Sequence, residues 1–85
     1  MALRLAPGIA WQRIDGEGVV LDLERGRSLG LNASATLILS LIDTHAEEAI
    51  VAELCRSFAV TAEEAEADVR SFMGELRQGG LVIET

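Results

Sequence analysis

One cysteine and one histidine occur among the 85 residues, and each scarcity closes off a class of function. A lone Cys55 excludes an internal disulfide, so a reducing, cytoplasmic setting is expected. Nucleophilic catalysis needs a base beside the nucleophile. His45 stands about three helical turns before Cys55, so the two cannot meet within one helix. His45 therefore reads as an exposed residue at a helix start and Cys55 as a packed one, and no enzymatic activity is expected. With a single Cys and a single His, metal binding would fall to carboxylates alone. Glu63, Glu64, Glu66 and Asp68 lie in a helical run rather than a loop of alternating ligands, so neither a metal nor another cofactor is expected. No glycine-rich phosphate loop is present, since GEGVV and GRSLG lack both the spacing and the lysine of such motifs.

Positive charge is also scarce. Seven Lys and Arg oppose fourteen Asp and Glu, a net charge of −7. That field repels a polyphosphate backbone and an anionic membrane surface, which leaves basic or neutral peptides as compatible partners and excludes nucleic acid and membrane as expected ones. No apolar run approaches the ~20 residues of a spanning helix, and the run in MALRLAPG is too short for a secretory signal. Asn32-Ala33-Ser34 has the form of a glycosylation sequon but reads as a helix cap.

What is abundant is aliphatic. Hydrophobic residues make up 49% of the chain and aromatic ones 4%, so Leu, Ile, Val and Ala must build the core. A chain of this length forms one domain, residues 1–85, burying ~60–65% of its unfolded surface.

The pattern centres on VVLDLERGRSLGLN, Val19 to Asn32. Val19, Leu21 and Leu23 alternate with Val20 and Asp22, the period of two expected of a strand with one face on a core. Glu24-Arg25-Gly26 breaks the run as a hairpin loop, and a second strand, Arg27 to Leu31, sends Leu29 and Leu31 to one face and Arg27, Ser28 and Gly30 to the other. Upstream, Met1 to Gly8 reads as a loose lead-in. Ile9 to Ile14 reads as a strand that reverses at Asp15-Gly16-Glu17-Gly18, giving a three-stranded meander.

Three helices follow. Asn32 caps the first, Ala33 to Ile42. Thr44 with Glu47 has capping-box spacing for the second, which runs to about Phe58 with Ile50, Leu54 and Phe58 inside. Thr61 with Glu64 repeats that spacing for the third, whose inner stripe is Ala65, Val69, Phe72 and Leu76 with Met73 beside it. Gly79-Gly80 stop it, and Leu81-Val82-Ile83 packs back as an extended piece. The expected fold is α+β and winged-helix-like, a three-stranded antiparallel sheet followed by three helices.

The strand Arg27 to Leu31, lying at a sheet edge, would offer unpaired backbone groups to an incoming peptide strand, with close approach at the bare Gly30. The third helix would wall the groove, with Phe72, Met73 and Leu76 as apolar contacts and Asp68 and Glu75 as polar rim. The same periodicity fits plain core, most of all for Phe72 and Leu76.

Taken together, VVLDLERGRSLGLNASATLILSLID, AIVAELCRSFAV and TAEEAEADVRSFMGELRQGGLV resemble the PqqD-like proteins, precursor-peptide recognition elements of ribosomally made, modified peptides. The resemblance covers about Gly18 to Val82, through the Leu-Asp strand, the strand ending in Leu-Asn, and the helix ending Leu-x-x-Gly-Gly-Leu. It implies an adaptor that binds a leader peptide antiparallel to Arg27, Ser28, Leu29, Gly30 and Leu31, against Val69, Phe72, Met73 and Leu76, and presents it to a separate modifying enzyme or leader peptidase. A chain ending at Thr85 is similar to the discrete recognition proteins of lasso-peptide pathways. The alternatives are a partner of the radical enzyme of pyrroloquinoline quinone biosynthesis, and a DNA-binding winged helix whose recognition helix would carry Glu63, Glu64, Glu66, Asp68 and Glu75 against only Arg70 and Arg77.

Overall fold

The computed structural model describes residues 3–84. The elements in order are β1 (Leu3–Leu5), β2 (Ile9–Ile14), β3 (Glu17–Asp22), β4 (Arg27–Leu31), α1 (Ala33–Leu41), α2 (Glu47–Ser57), α3 (Ala62–Gln78) and β5 (Val82–Glu84). Strands β2, β3 and β4 form the expected antiparallel meander, and three helices follow it, so the fold is α+β and winged-helix-like.

Turn chemistry fixes the meander. Asp15 and Gly16 both take positive φ, 53° and 83°, and this two-residue turn matches the twist of the strands it joins. Between β3 and β4 the loop Leu23–Gly26 closes with the Gly26 N–H donating to the Asp22 carbonyl at 2.8 Å, and Gly26 has φ 67°.

The core face of β3 is the one that carries Val20 and Asp22. Gly18, Val20 and Asp22 are buried under the helices, Val19 and Leu21 are half-buried on the outer face, and Leu23 lies past the strand end, 69% exposed. Hydrophobicity along Val-Val-Leu-Asp-Leu fits either phase. Two polar contacts decide it: Asp22 turns back to hold the loop, and Gly18 packs under α1. Arg27 shares a face with Leu29 and Leu31, because alternate residues of a strand point the same way, and it lies opposite Asp22 across the ladder.

Gly18 and α1 are locked by one hydroxyl. Asn32 caps the helix as expected, its Oδ1 accepting from the Ala35 N–H at 2.8 Å. Thr36 Oγ1 donates to the Asn32 carbonyl at 2.7 Å and accepts from the Gly18 N–H at 2.7 Å, fully buried. A Cβ at Gly18 would stand 3.0 Å from that oxygen and 3.2 Å from Leu31, so any side chain there would have to push them aside by a few tenths of an ångström. Thr36→Val keeps the shape but strands the Gly18 donor. We expect it to cost about 1–3 kcal/mol in urea unfolding, the penalty for an unsatisfied buried amide.

The N-terminal segment is not a loose lead-in over its described residues. Leu3–Leu5 pairs antiparallel with Val82–Glu84, Leu3 opposite Glu84 and Leu5 opposite Val82, and Leu3 is buried in the core. Met1 and Ala2 lie outside the described residues. A three-residue strand whose partner is some eighty positions away leaves no local signature, which is why the pairing was illegible.

Helix α2 begins later than the expected Thr44 capping box. The Thr44 and His45 N–H groups both donate to the Leu41 carbonyl, extending the end of α1, and Thr44 Oγ1 meets His45 Nδ1 at 2.8 Å. Ala46 therefore occupies the cap position, with no side-chain bond.

Helix α3 is as expected at both ends. Thr61 and Glu64 form a capping box. At the other end Gly80 (φ 69°) takes the left-handed position, Leu81 N–H donates to the Leu76 carbonyl and Gly80 N–H to that of Arg77, the two bonds of a Schellman motif. Ile38 and Leu39 of α1, Ile50 and Leu54 of α2, and Ala65, Val69, Phe72, Met73 and Leu76 of α3 pack with Val20 and Leu31 into one core.

Candidate functional site

The meander ends on β4, whose far side carries no strand among the described residues. Arg27, Ser28, Leu29 and Gly30 are all exposed, and among the described residues no backbone group of 27–30 bonds to anything outside β3. Which groups are free follows from the ladder. The Asp22 carbonyl points toward the β4 side, where Gly26 donates to it, whereas the next N–H, Leu23, donates to the Gly8 carbonyl on the β2 side. Alternation then assigns the pairs Asp22–Arg27, Val20–Leu29 and Gly18–Leu31 to the β3–β4 ladder. Ser28 and Gly30 aim their N–H and C=O groups outward. These are the groups a further strand would use.

Beside this edge runs a groove between β4 and α3. One cleft, about 300 Å³, is lined by Leu29, Gly30, Leu31, Ala35, Ile38, Asp68, Ser71, Phe72 and Glu75. A second, about 240 Å³, is lined by Val20, Asp22, Arg27, Ser28, Leu29, Glu75, Gly79 and Leu81. Leu29 and Glu75 belong to both, so the two clefts form one channel along the strand. Leu29 stands in it 45% exposed, an uncovered apolar side chain between the two.

The hairpin end of the groove is fixed by Asp22. Its buried carboxylate accepts from the Arg25 N–H at 3.0 Å and lies 3.4 Å and 3.2 Å from the Arg25 and Arg27 guanidinium groups. The Arg25 amide first, then Arg27 and the charge of both arginines, hold the Asp22 carboxyl below the ordinary value of 3.8, with burial opposing them. A depressed folded value means that the stabilisation is complete above the ordinary value and is lost as pH falls through the folded one. We therefore expect acid unfolding in that window to be shallower in Asp22→Asn than in the parent, measured by circular dichroism between pH 5 and pH 2.

Of the residues expected at the site, the structure brings Arg27, Ser28, Leu29, Gly30, Leu31, Asp68, Phe72 and Glu75 to the groove. Val69, Met73 and Leu76 are not there. Val69 and Leu76 are fully buried and Met73 nearly so, all turned into the core beneath. On α3 and its capping residue the groove stripe is Asp68, Ser71, Phe72, Glu75 and Gly79, one residue out of step with the core stripe Ala65, Val69, Met73 and Leu76. Phe72, 8% exposed, touches both. Ser71 and Gly79 could have been found from that spacing; Ala35, Ile38 and Leu81 enter only through the tertiary fold. Gly30 also acts differently from the expectation. A Cβ there would meet nothing within 4 Å, on the outer face shared with Val19, so the approach to the edge does not depend on its missing side chain.

A three-stranded meander followed by three helices has known counterparts. The family model of coenzyme PQQ synthesis protein D (PqqD) matches residues 17–82, most of the chain and the whole of the groove. The chain belongs to the PqqD family. No curated protein matches it. Among solved structures, this PqqD-family chain is similar to lasso peptide synthetase B1 complexed with the leader peptide, with a TM-score of 0.89 and 28% identity, covering 99% of this chain and 100% of that one. It is also similar to TbiB1 in complex with the TbiA(beta) leader peptide, with a TM-score of 0.86, 29% identity and 96% of each chain covered. Among the described residues of this PqqD-family member, no helix is long and apolar enough to cross a membrane.

Proposed function

We propose that the chain is a non-catalytic adaptor of lasso peptide biosynthesis. It binds the leader segment of a ribosomally synthesised precursor peptide by strand addition to β4 and delivers it to a separate modifying enzyme or leader peptidase. The unpaired outer edge of β4 beside a groove of apolar and acidic side chains carries this reading: main-chain bonds to Ser28 and Gly30 supply affinity for any extended segment, and the clefts read alternate side chains. The likeness of nearly the whole chain to two proteins described with leader peptides supports it. Leu29, Leu31 and Phe72 are its apolar contacts, with Arg27, Asp68 and Glu75 at the rim.

A second reading, service to coenzyme PQQ synthesis beside a radical enzyme, draws on the name of the family model. The bound peptide separates the two. Calorimetric titration with the leader half of a precursor encoded near the chain's gene should show saturable one-to-one binding, and the peptide should keep its mass when incubated with this chain alone. No heat at high micromolar peptide removes the adaptor reading, and a change of mass removes the non-catalytic one.

A further inference from the structure

The charges along the groove are unevenly placed. Arg70, one of the two cations of α3, is engaged by Glu47 and Glu66, and the other, Arg77, by Glu84. Asp68 and Glu75 sit two turns apart on the groove stripe, and neither carboxylate has an ion-pair or hydrogen-bond partner among the described residues. At the hairpin end the balance reverses, since Arg25 and Arg27 share the single carboxylate of Asp22. The channel is thus acidic from Leu31 to Leu29 and mildly cationic beyond. Side chains of a strand added to β4 face the helices at the positions opposite Leu31, Leu29 and Arg27, with a spacing of two residues.

From this we infer that the groove selects a peptide with a basic side chain at one inward-facing position, held between Asp68 and Glu75. The inference rests on the strand-addition reading above and specifies its ligand. The two carboxylates are ~10 Å apart along the helix at ~1.5 Å per residue, so a Lys or Arg entering opposite Leu29 or Leu31 lies within reach of both. An acidic side chain at that position is repelled by two charges and a neutral one leaves them unpaired. In a strand antiparallel to β4 the basic residue precedes the segment that lies over Arg27.

The probe is a displayed library of random dodecapeptides, selected against the full chain and sequenced. The expected outcome is enrichment of Lys or Arg at a single register position, with apolar residues two or four positions away. Against Asp68→Asn with Glu75→Gln, that positional preference disappears and affinity for the enriched peptides falls about 1.5- to fivefold, the size of a solvent-facing ion pair. A control with Asp43→Asn and Glu63→Gln, which changes net charge equally and leaves the groove alone, retains the preference. A preference retained in the groove variant, lost equally in the control, or absent from the start overturns the inference. Peptides that depend on β4 but show no basic position defeat only this inference. A library yielding no β4-dependent peptide defeats the strand-addition reading itself.

Discussion

Gly30→Pro is expected to lower leader-peptide affinity by about 5- to 150-fold, corresponding to ~1–3 kcal/mol for a lost amide donor and its stranded acceptor, with little change in folding stability. The Gly30 N–H faces outward and serves no partner in the fold, so removing it leaves the β3–β4 ladder whole. Proline is tolerated on an edge strand for this reason. Gly30 lacks positive φ, and a Cβ there would meet nothing within 4 Å. On the binding side the ring occupies the line along which a partner carbonyl would approach. Leu29→Pro is the matched contrast. Its N–H lies in the ladder to Val20, so that change should destabilise the sheet instead, and calorimetry paired with urea unfolding separates the two effects. Equal loss of stability in both variants would mean that the ladder assignment is wrong.

Leu76→Ala, by contrast, is expected to act on the fold. Leu76 is fully buried, and emptying its site should cost about 2–5 kcal/mol. An 85-residue domain has only ~4–13 kcal/mol to lose at typical values per residue. A large drop in the urea midpoint should follow, with peptide affinity of the remaining folded fraction nearly unchanged. Glu75→Gln, one residue earlier and on the groove stripe, should leave the midpoint where it was. This pair distinguishes a core residue from a groove residue at adjacent positions, where helical periodicity alone assigned both to the site.

Much of the architecture was legible because it rests on local chemistry. Asn32, the Thr61–Glu64 box and the glycines after α3 mark helix ends through bonds made within a few residues, and each is found in place. Asp15-Gly16 fixes the first hairpin by its backbone preference in the same way. The rest is decided by distant partners. The phase of β3 depends on Thr36 reaching Gly18 and on Asp22 turning back to Arg25, neither of which is visible in an alternation of Val and Leu. Strand β1 exists only because β5 returns beside it. At the site, the open edge was readable from strand order, and Asp68, Phe72 and Glu75 from helical spacing. Val69, Met73 and Leu76 were misplaced because a stripe one residue to the side satisfies almost the same periodicity, and only the packing of α3 on the sheet shows which stripe faces the groove.

Residue-resolved amide hydrogen exchange across β4, with and without saturating leader peptide, probes strand addition most directly. Ser28 and Gly30 should exchange freely in the unbound protein and become protected together on binding, while Leu29, already bonded to β3, changes little. Protection that ignores this alternation, or that appears on another surface with Ser28 and Gly30 still exchanging freely, would contradict strand addition at β4.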